Sequence, residues 1–148
     1  MTSDCPAVGD ELPPFTRGAG FEYWNRYAAV NDEFVDIHMD DDAGRAAGYP
    51  SAFGMGNLTW AYFHAALHEW FGEEARIRRL SIQFRAAVVR GSRVSVRGVV
   101  SAVGPGPTVE VAMWAEDADG ARVAPGAAVV EPADPDPRRA SEHRLAEI

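Results

Sequence analysis

Between Glu33 and Asp42 (EFVDIHMDDD) the chain sets one histidine, His38, among carboxylates. A loop punctuated by glycine and proline follows from Gly48 to Gly56, and an apolar helix is expected to open at about Asn57. Consecutive pieces of chain thus deliver a carboxylate, an imidazole and a helix N-terminus to one neighbourhood. An imidazole and a carboxylate can pass protons to and from a shared water near neutral pH. A helix start, whose first N–H groups lack intrahelical partners, favours negative charge. Together these are the means for acid–base chemistry beside a carbonyl whose oxygen gains charge.

Other chemistry-bearing residues are less well placed. His64 and His68 stand four apart on the expected helix with Glu69 adjacent, a spacing that can hold a metal. The order is not H-E-x-x-H and the sequence offers no third ligand, so no metal is expected and the pair should line a helix flank or a substrate pocket as hydrogen-bonded histidines. A single cysteine, Cys5, excludes an intramolecular disulfide and a cysteine-based zinc site.

The elements that must position the site change period along the chain. Val8 to Thr16 reads as a leading segment of turns or extended backbone, with Pro13-Pro14 inside it. Phe21 to Val30 has helical spacing, with Phe21, Trp24 and Tyr27 or Ala28 on one face. Asp40 to Ala47 could add a turn or two, ended by Gly48. Leu58 to Phe71 is apolar almost all round, so it must be covered on several sides along its roughly 20 Å. Gly72 should end it. Alternation then takes over in Arg76–Ala87, Arg93–Val103, Thr108–Ala115 and Ala121–Val130, separated by turn residues, with Pro125-Gly126 expected to make a bulge or break. One buried helix followed by about four antiparallel strands that curl round it makes a single α+β domain over residues 1–131. The remainder, 132–148 (PADPDPRRASEHRLAEI), reads as a mobile tail that includes His143.

Composition narrows the function classes. The chain has 148 residues, a formal net charge of −8, and no lysine among its basic residues. One domain with a sizeable core is therefore expected, without the basic stripe of a nucleic-acid binder. Neither an apolar signal region near Met1 nor a run long enough to span a membrane is visible, so a cytoplasmic location is expected.

The helix-then-strands order and the Tyr27–Leu58 stretch resemble the MaoC-like branch of the hot-dog fold, the (R)-specific enoyl-CoA hydratases. That family carries segments of the type Y-A-x-x-S-G-D-F-N-P-I-H, A-R-x-A-G-Y-P and A-H-G-M-L. The matching residues are Tyr27-Ala28-Ala29, Phe34, Ile37-His38, Gly44 to Pro50 (GRAAGYP) and Gly56-Asn57-Leu58-Thr59. Phe84-Arg85-Ala86 and Arg90-Gly91-Ser92 stand where the family shows F-R-x-P-V-x-P-G-D. The resemblance covers roughly residues 8–131. It departs at Glu33, where the family's catalytic Asp falls, at Val35 and Asp36 in place of Asn and Pro, and at Met55 in place of a histidine.

The resemblance implies a hot-dog fold, a curved antiparallel sheet wrapped around one long buried helix. It implies cofactor-free hydration of an enoyl thioester, or the reverse dehydration, on a coenzyme A or carrier-protein substrate. Glu33 and His38 would share the proton duties on one water, with Asp32 and Asp36 as alternative carboxylates, and the Gly56 N–H would face the thioester oxygen. Met55 and Asn57, flanking that glycine, would touch substrate, and Arg85, Arg90 and Arg93 could hold coenzyme A phosphates. The expected assembly is a homodimer or a heterodimer with another hot-dog subunit. Two alternatives stand beside the hydratase: an impaired subunit that completes a partner's active site, and a hot-dog thioesterase.

Overall fold

The computed structural model describes residues 6–133. In chain order the elements are β1 (Glu11–Gly18), α1 (Phe21–Asn31), α2 (Asp36–Met39), α3 (Asp41–Ala46), α4 (Gly56–Phe71), β2 (Arg76–Ile82), β3 (Arg93–Val103), β4 (Val109–Glu116) and β5 (Arg122–Glu131). The strands form one antiparallel sheet in the order β1-β3-β4-β5-β2. This is the hot-dog arrangement, a curved sheet holding one long helix.

Helix α4 meets β1, β2, β3 and β5. It buries Leu58, Phe63, Ala66, Leu67, Trp70 and Phe71, while Ala65 and Glu69 stay exposed. The sheet answers by alternation: Val109, Val111, Met113 and Ala115 of β4 are all buried, with Glu110 and Ala112 pointing to solvent. Two strand glycines make room for the helix. A Cβ on Gly98 would lie 3.0 Å from the Trp70 ring, and one on Gly126 would lie 3.1 Å from Phe63 and 2.7 Å from the Ser81 carbonyl oxygen. Gly72, at φ 97°, closes α4.

The structure sharpens or changes the sequence reading at four places. The leading segment is an edge strand, β1, paired with β3, and Pro13 and Pro14 fall at a register shift between Leu12 and Phe15. Proline is tolerated there because an edge strand leaves half its N–H groups outside the ladder. The Pro13 carbonyl also accepts a 2.8 Å hydrogen bond from the Trp70 indole, which ties β1 to α4. Pro125-Gly126 makes no break: β5 pairs without a shift from Trp114↔Pro125 to Val109↔Val130. Pro125 sits where β2 has ended, and its carbonyl accepts from the Gln83 N–H at 2.9 Å. Within the acidic segment, to which the sequence assigns no element before Asp40, Asp36–Met39 winds into a single turn of helix that carries His38. Lastly, the first strand after α4 stops at Ile82, short of Ala87. Of the expected tail, 132–148, Ala133 is tied to α4 by its N–H to the Phe71 carbonyl at 2.8 Å, while Cys5 and residues 134–148, His143 among them, lie outside the described residues.

Candidate active site

The site is assembled from the end of α1, the turn α2, the loop before α4 and the connection between β2 and β3. Helix α1 ends at Asp32, which takes the left-handed conformation (φ 54°). The Glu33 N–H then closes on the Ala28 carbonyl at 3.1 Å. That reversal turns Glu33 inward to a half-buried position, where its Oε2 accepts from the Asn57 side-chain amide at 3.4 Å. Glu33 is thereby tied to the first turn of α4. The Tyr27 hydroxyl records its charge nearby: burial, and then the Glu33 carboxylate, push the phenol above its ordinary pKa.

His38 sits half-buried at the end of α2. Its Nδ1 lies 2.7 Å from the carbonyl oxygen of Phe53. A carbonyl can only accept, so Nδ1 carries the proton and Nε2 is left as the free lone pair of the neutral ring. The ring also stands edge-on to Phe53, with centroids 5.2 Å apart and planes at 87°. Phe53 in turn packs on Tyr49 at 4.2 Å. Asp32 and Asp36 are exposed, Asp36 at the start of α2.

A cleft of about 250 Å³ opens beside this chain of rings. It is lined by Tyr49, Phe53, Gly54 and Gly56 from the loop before α4, by Phe84 to Val88, and by Thr59 of α4 and Val123-Ala124 of β5. Gly56 is the first residue of α4, so its N–H has no intrahelical acceptor. A Cβ at that position would touch the Phe84 ring at 3.4 Å. The backbone donor, the dipole of a 16-residue helix and an apolar wall therefore share one end of the cleft.

Of the residues expected at the site, the structure brings Gly56 and Arg85 to the cleft, Asn57 to Glu33, and His38 to the cleft's Phe53 wall. The side chains of Glu33 and His38 are not part of its lining. Met55 is a correction: its side chain is fully buried in the core, because the apolar residue before a packed helix turns inward while the backbone on either side faces out. The three arginines do not form one cluster. Arg85 is exposed and hydrogen-bonded to Gln83. Arg90 donates from one guanidinium edge, Nε and Nη2, to the two carboxylate oxygens of Asp41 and lies 4.9 Å over the Phe21 ring. Arg93 begins β3 opposite Gly18 and is not part of the cleft lining. His64 stacks near Trp60 at 5.9 Å, and burial, then His68, lower its pKa. Among the described residues no group of three or more His, Cys, Asp or Glu is placed to hold a metal ion. Nor is any described helix long and apolar enough to cross a membrane.

Phe53, Tyr49 and Phe84 escaped the sequence reading as functional residues. The signal was available in bulky aromatics inside Gly/Pro-rich and Arg-rich connections, where no core demands them. Asp41 escaped because its partners, the Ala52 N–H and Arg90, lie 11 and 49 residues further along the chain.

Residues 22–116 match the family model described as MaoC like domain, and the chain belongs to this MaoC-like dehydratase family. Among solved structures it is similar to the (R)-hydratase from A. caviae involved in PHA biosynthesis. The TM-score is 0.79 and the identity 21%, over 90% of this chain and 100% of that one. R-hydratase PhaJ1 from Pseudomonas aeruginosa gives 0.80 and 20%, over 86% and 83%. A chain of the ChsH1-ChsH2 complex from Mycobacterium tuberculosis gives 0.78 and 20%, over 90% and 100%. No curated protein matches this chain.

Proposed function

We propose that this chain adds water across a trans-2-enoyl thioester, or removes it from a 3-hydroxyacyl thioester, with its own side chains and no cofactor. Membership of a dehydratase family supports the reaction class. The observation that carries the reading to named residues is the 2.7 Å bond from His38 Nδ1 to the Phe53 carbonyl, which leaves Nε2 free to take a proton. In hydration, Glu33 and His38 hold one water. One of them takes a proton as the water oxygen bonds to Cβ, and the π electrons move to the thioester oxygen. The enolate so formed rests against the Gly56 N–H, then collapses as Cα takes up a proton and the site returns to its starting protonation. Dehydration runs the same steps backward. Such an acid–base pair is worth roughly 10²–10⁴-fold, and one oxyanion donor roughly 10²–10³-fold. The open cleft takes the acyl thioester, with Arg85 at the coenzyme A or carrier-protein end, and the reading places the reaction in the cytoplasm.

A second reading rests on the cleft lining, which includes neither the Glu33 nor the His38 side chain. In it the chain is one subunit of a two-chain enzyme and the partner completes the site; two neighbours in structure are chains of complexes, ChsH1-ChsH2 and the 3R-hydroxyacyl-ACP dehydratase HadBC of Mycobacterium tuberculosis. In both readings the chain works as a dimer joined sheet edge to sheet edge. The test is the purified chain alone on a short trans-2-enoyl-CoA, following loss of the conjugated thioester absorbance. Turnover by the chain alone is expected. Hydrolysis to free coenzyme A instead would point to a thioesterase, and no reaction without a partner would leave the subunit reading.

A further inference from the structure

Asp41 is the one member of the aspartate run that leaves solvent for a defined set of partners. Its Oδ1 accepts from the Ala52 N–H at 3.1 Å and from Arg90 Nε at 2.9 Å, and its Oδ2 is held by the same guanidinium. Asp40, its neighbour, caps α3 through the Ala43 N–H at 2.8 Å, and Asp42 pairs with Arg45 on the surface. The Arg90 N–H returns to the Ala52 carbonyl at 3.0 Å, so Ala52 is gripped on both sides. Backbone packing tightens this grip: Gly44 of α3 lies so close to Ser51 that a Cβ there would stand 2.1 Å from its carbonyl oxygen.

The gripped residue, which is fully buried, immediately precedes Phe53, whose carbonyl fixes the His38 ring. We propose that Asp41 is a positioning residue for His38: by clamping Ala52 against Arg90 it aims the Phe53 carbonyl at Nδ1 and so selects the tautomer with Nε2 free. Phe53 is also held by its own N–H to the Ile37 carbonyl at 3.3 Å, by a single bridge to Val89, by the Tyr49 ring and, on the far side of its carbonyl, by the Gly54 N–H to the Val88 carbonyl at 2.8 Å. The Gly54 bond fixes one end of the peptide that carries this carbonyl and the Asp41 clamp on Ala52 fixes the approach to the other, which together hold its direction within the 10–20° a catalytic hydrogen bond needs. The Arg90 guanidinium, and then the Ala52 N–H, hold the Asp41 carboxyl below the ordinary carboxylate range, so the clamp is charged at neutral pH.

The tautomer selection stands on geometry alone; its consequence for turnover rests on the hydration reading. Two arms keep them apart. In the first, the imidazole nitrogens of ¹⁵N-labelled full-length chain are recorded with the ring neutral. The His38 pair is assigned among the four histidines by its loss in His38→Gln. Wild type should show a protonated Nδ1 and a bare Nε2. In Asp41→Ala the two shifts should move toward exchange-averaged values, and Arg90→Gln should move them the same way. In the second arm, Asp41→Ala should lower kcat on the enoyl-CoA about tenfold with KM changed less than about threefold, as a misaimed rather than missing group would. An unshifted His38 pair in a folded Asp41→Ala overturns the proposal whatever the activity. Should that variant not fold, Arg90→Gln decides on the same criterion. If wild type is inactive while the tautomer shift appears, the clamp stands and only the hydration reading falls.

Discussion

Replacing Gly44 by alanine sets two effects of known size against each other. Gly44 lies in α3 with an ordinary right-handed backbone, so helix propensity alone predicts that alanine stabilises by about 1 kcal/mol. Space predicts the opposite. The new Cβ would stand 2.1 Å from the Ser51 oxygen, 2.4 Å from its carbonyl carbon and 2.6 Å from the Ala52 nitrogen. All three are backbone atoms, and Ala52 is pinned by Asp41 and Arg90, so no side chain can swing away to relieve the contact. Overpacking of this kind costs typically 1–3 kcal/mol, and rigid neighbours put it at the upper end. The net loss should be about 2 kcal/mol, or a melting temperature roughly 4–8 °C lower for a domain of this size. Gly20→Ala is the control, because nothing lies within 4 Å of a Cβ there. Calorimetry of the two variants gives the answer, and because the clamp must open to admit the methyl, the His38 bond to Phe53 should weaken as well. A Gly44→Ala protein more stable than wild type would refute the close approach of α3 to the loop.

Leu67→Ala empties a fully buried position on α4 and should cost roughly 2–5 kcal/mol, read from the urea midpoint at unchanged m. Asp41 titrates lower in the folded chain than in the unfolded one, so its contribution to stability is fully present above the ordinary carboxylate pKa and is lost as pH falls through the depressed value. The stability gap between wild type and Asp41→Asn should therefore narrow in acid unfolding series, and a gap that widens toward low pH would contradict the sign. Sedimentation should give a dimer: of the two edge strands β1 carries Pro13-Pro14 while β2 carries no proline, and a 16.0 kDa monomer at micromolar concentration would count against edge pairing. Arg85→Gln should raise KM for a coenzyme A thioester several-fold with little change in kcat, since Arg85 lines the cleft and its side-chain bond is to Gln83 rather than to His38 or Glu33.

What could be read from the sequence was what local pattern encodes. The apolar run 58–71 and the alternating β3 and β4 follow from period alone, so α4 and those strands were legible to within a residue or two. The segment Val8–Thr16 was not, because two prolines outweigh its strand character until a pairing partner is known, and β3 is some eighty residues away. Likewise, Pro125-Gly126 reads as a break by propensity, but Gly126 is wanted for the contact with Phe63, a tertiary reason invisible locally. At the site, His38 and Gly56 stood out by residue type and motif. Met55 was misjudged because motif position says which residue comes next, not which way a side chain turns. Arg90 was credited to substrate because its salt bridge partner, Asp41, is 49 residues distant.

The central claim is that Glu33 and His38 act together on one water, and a double-mutant cycle on kcat measures this most directly. His38→Ala and Glu33→Gln should each lower kcat on the enoyl thioester by about 10²-fold or more with the fold intact, while Asp32→Asn and Asp36→Asn do far less. The double variant should be hardly worse than either single one, because the two groups form one unit. Losses that multiply in the double variant, or a Glu33→Gln enzyme that turns over like wild type while Asp36→Asn does not, would contradict the account.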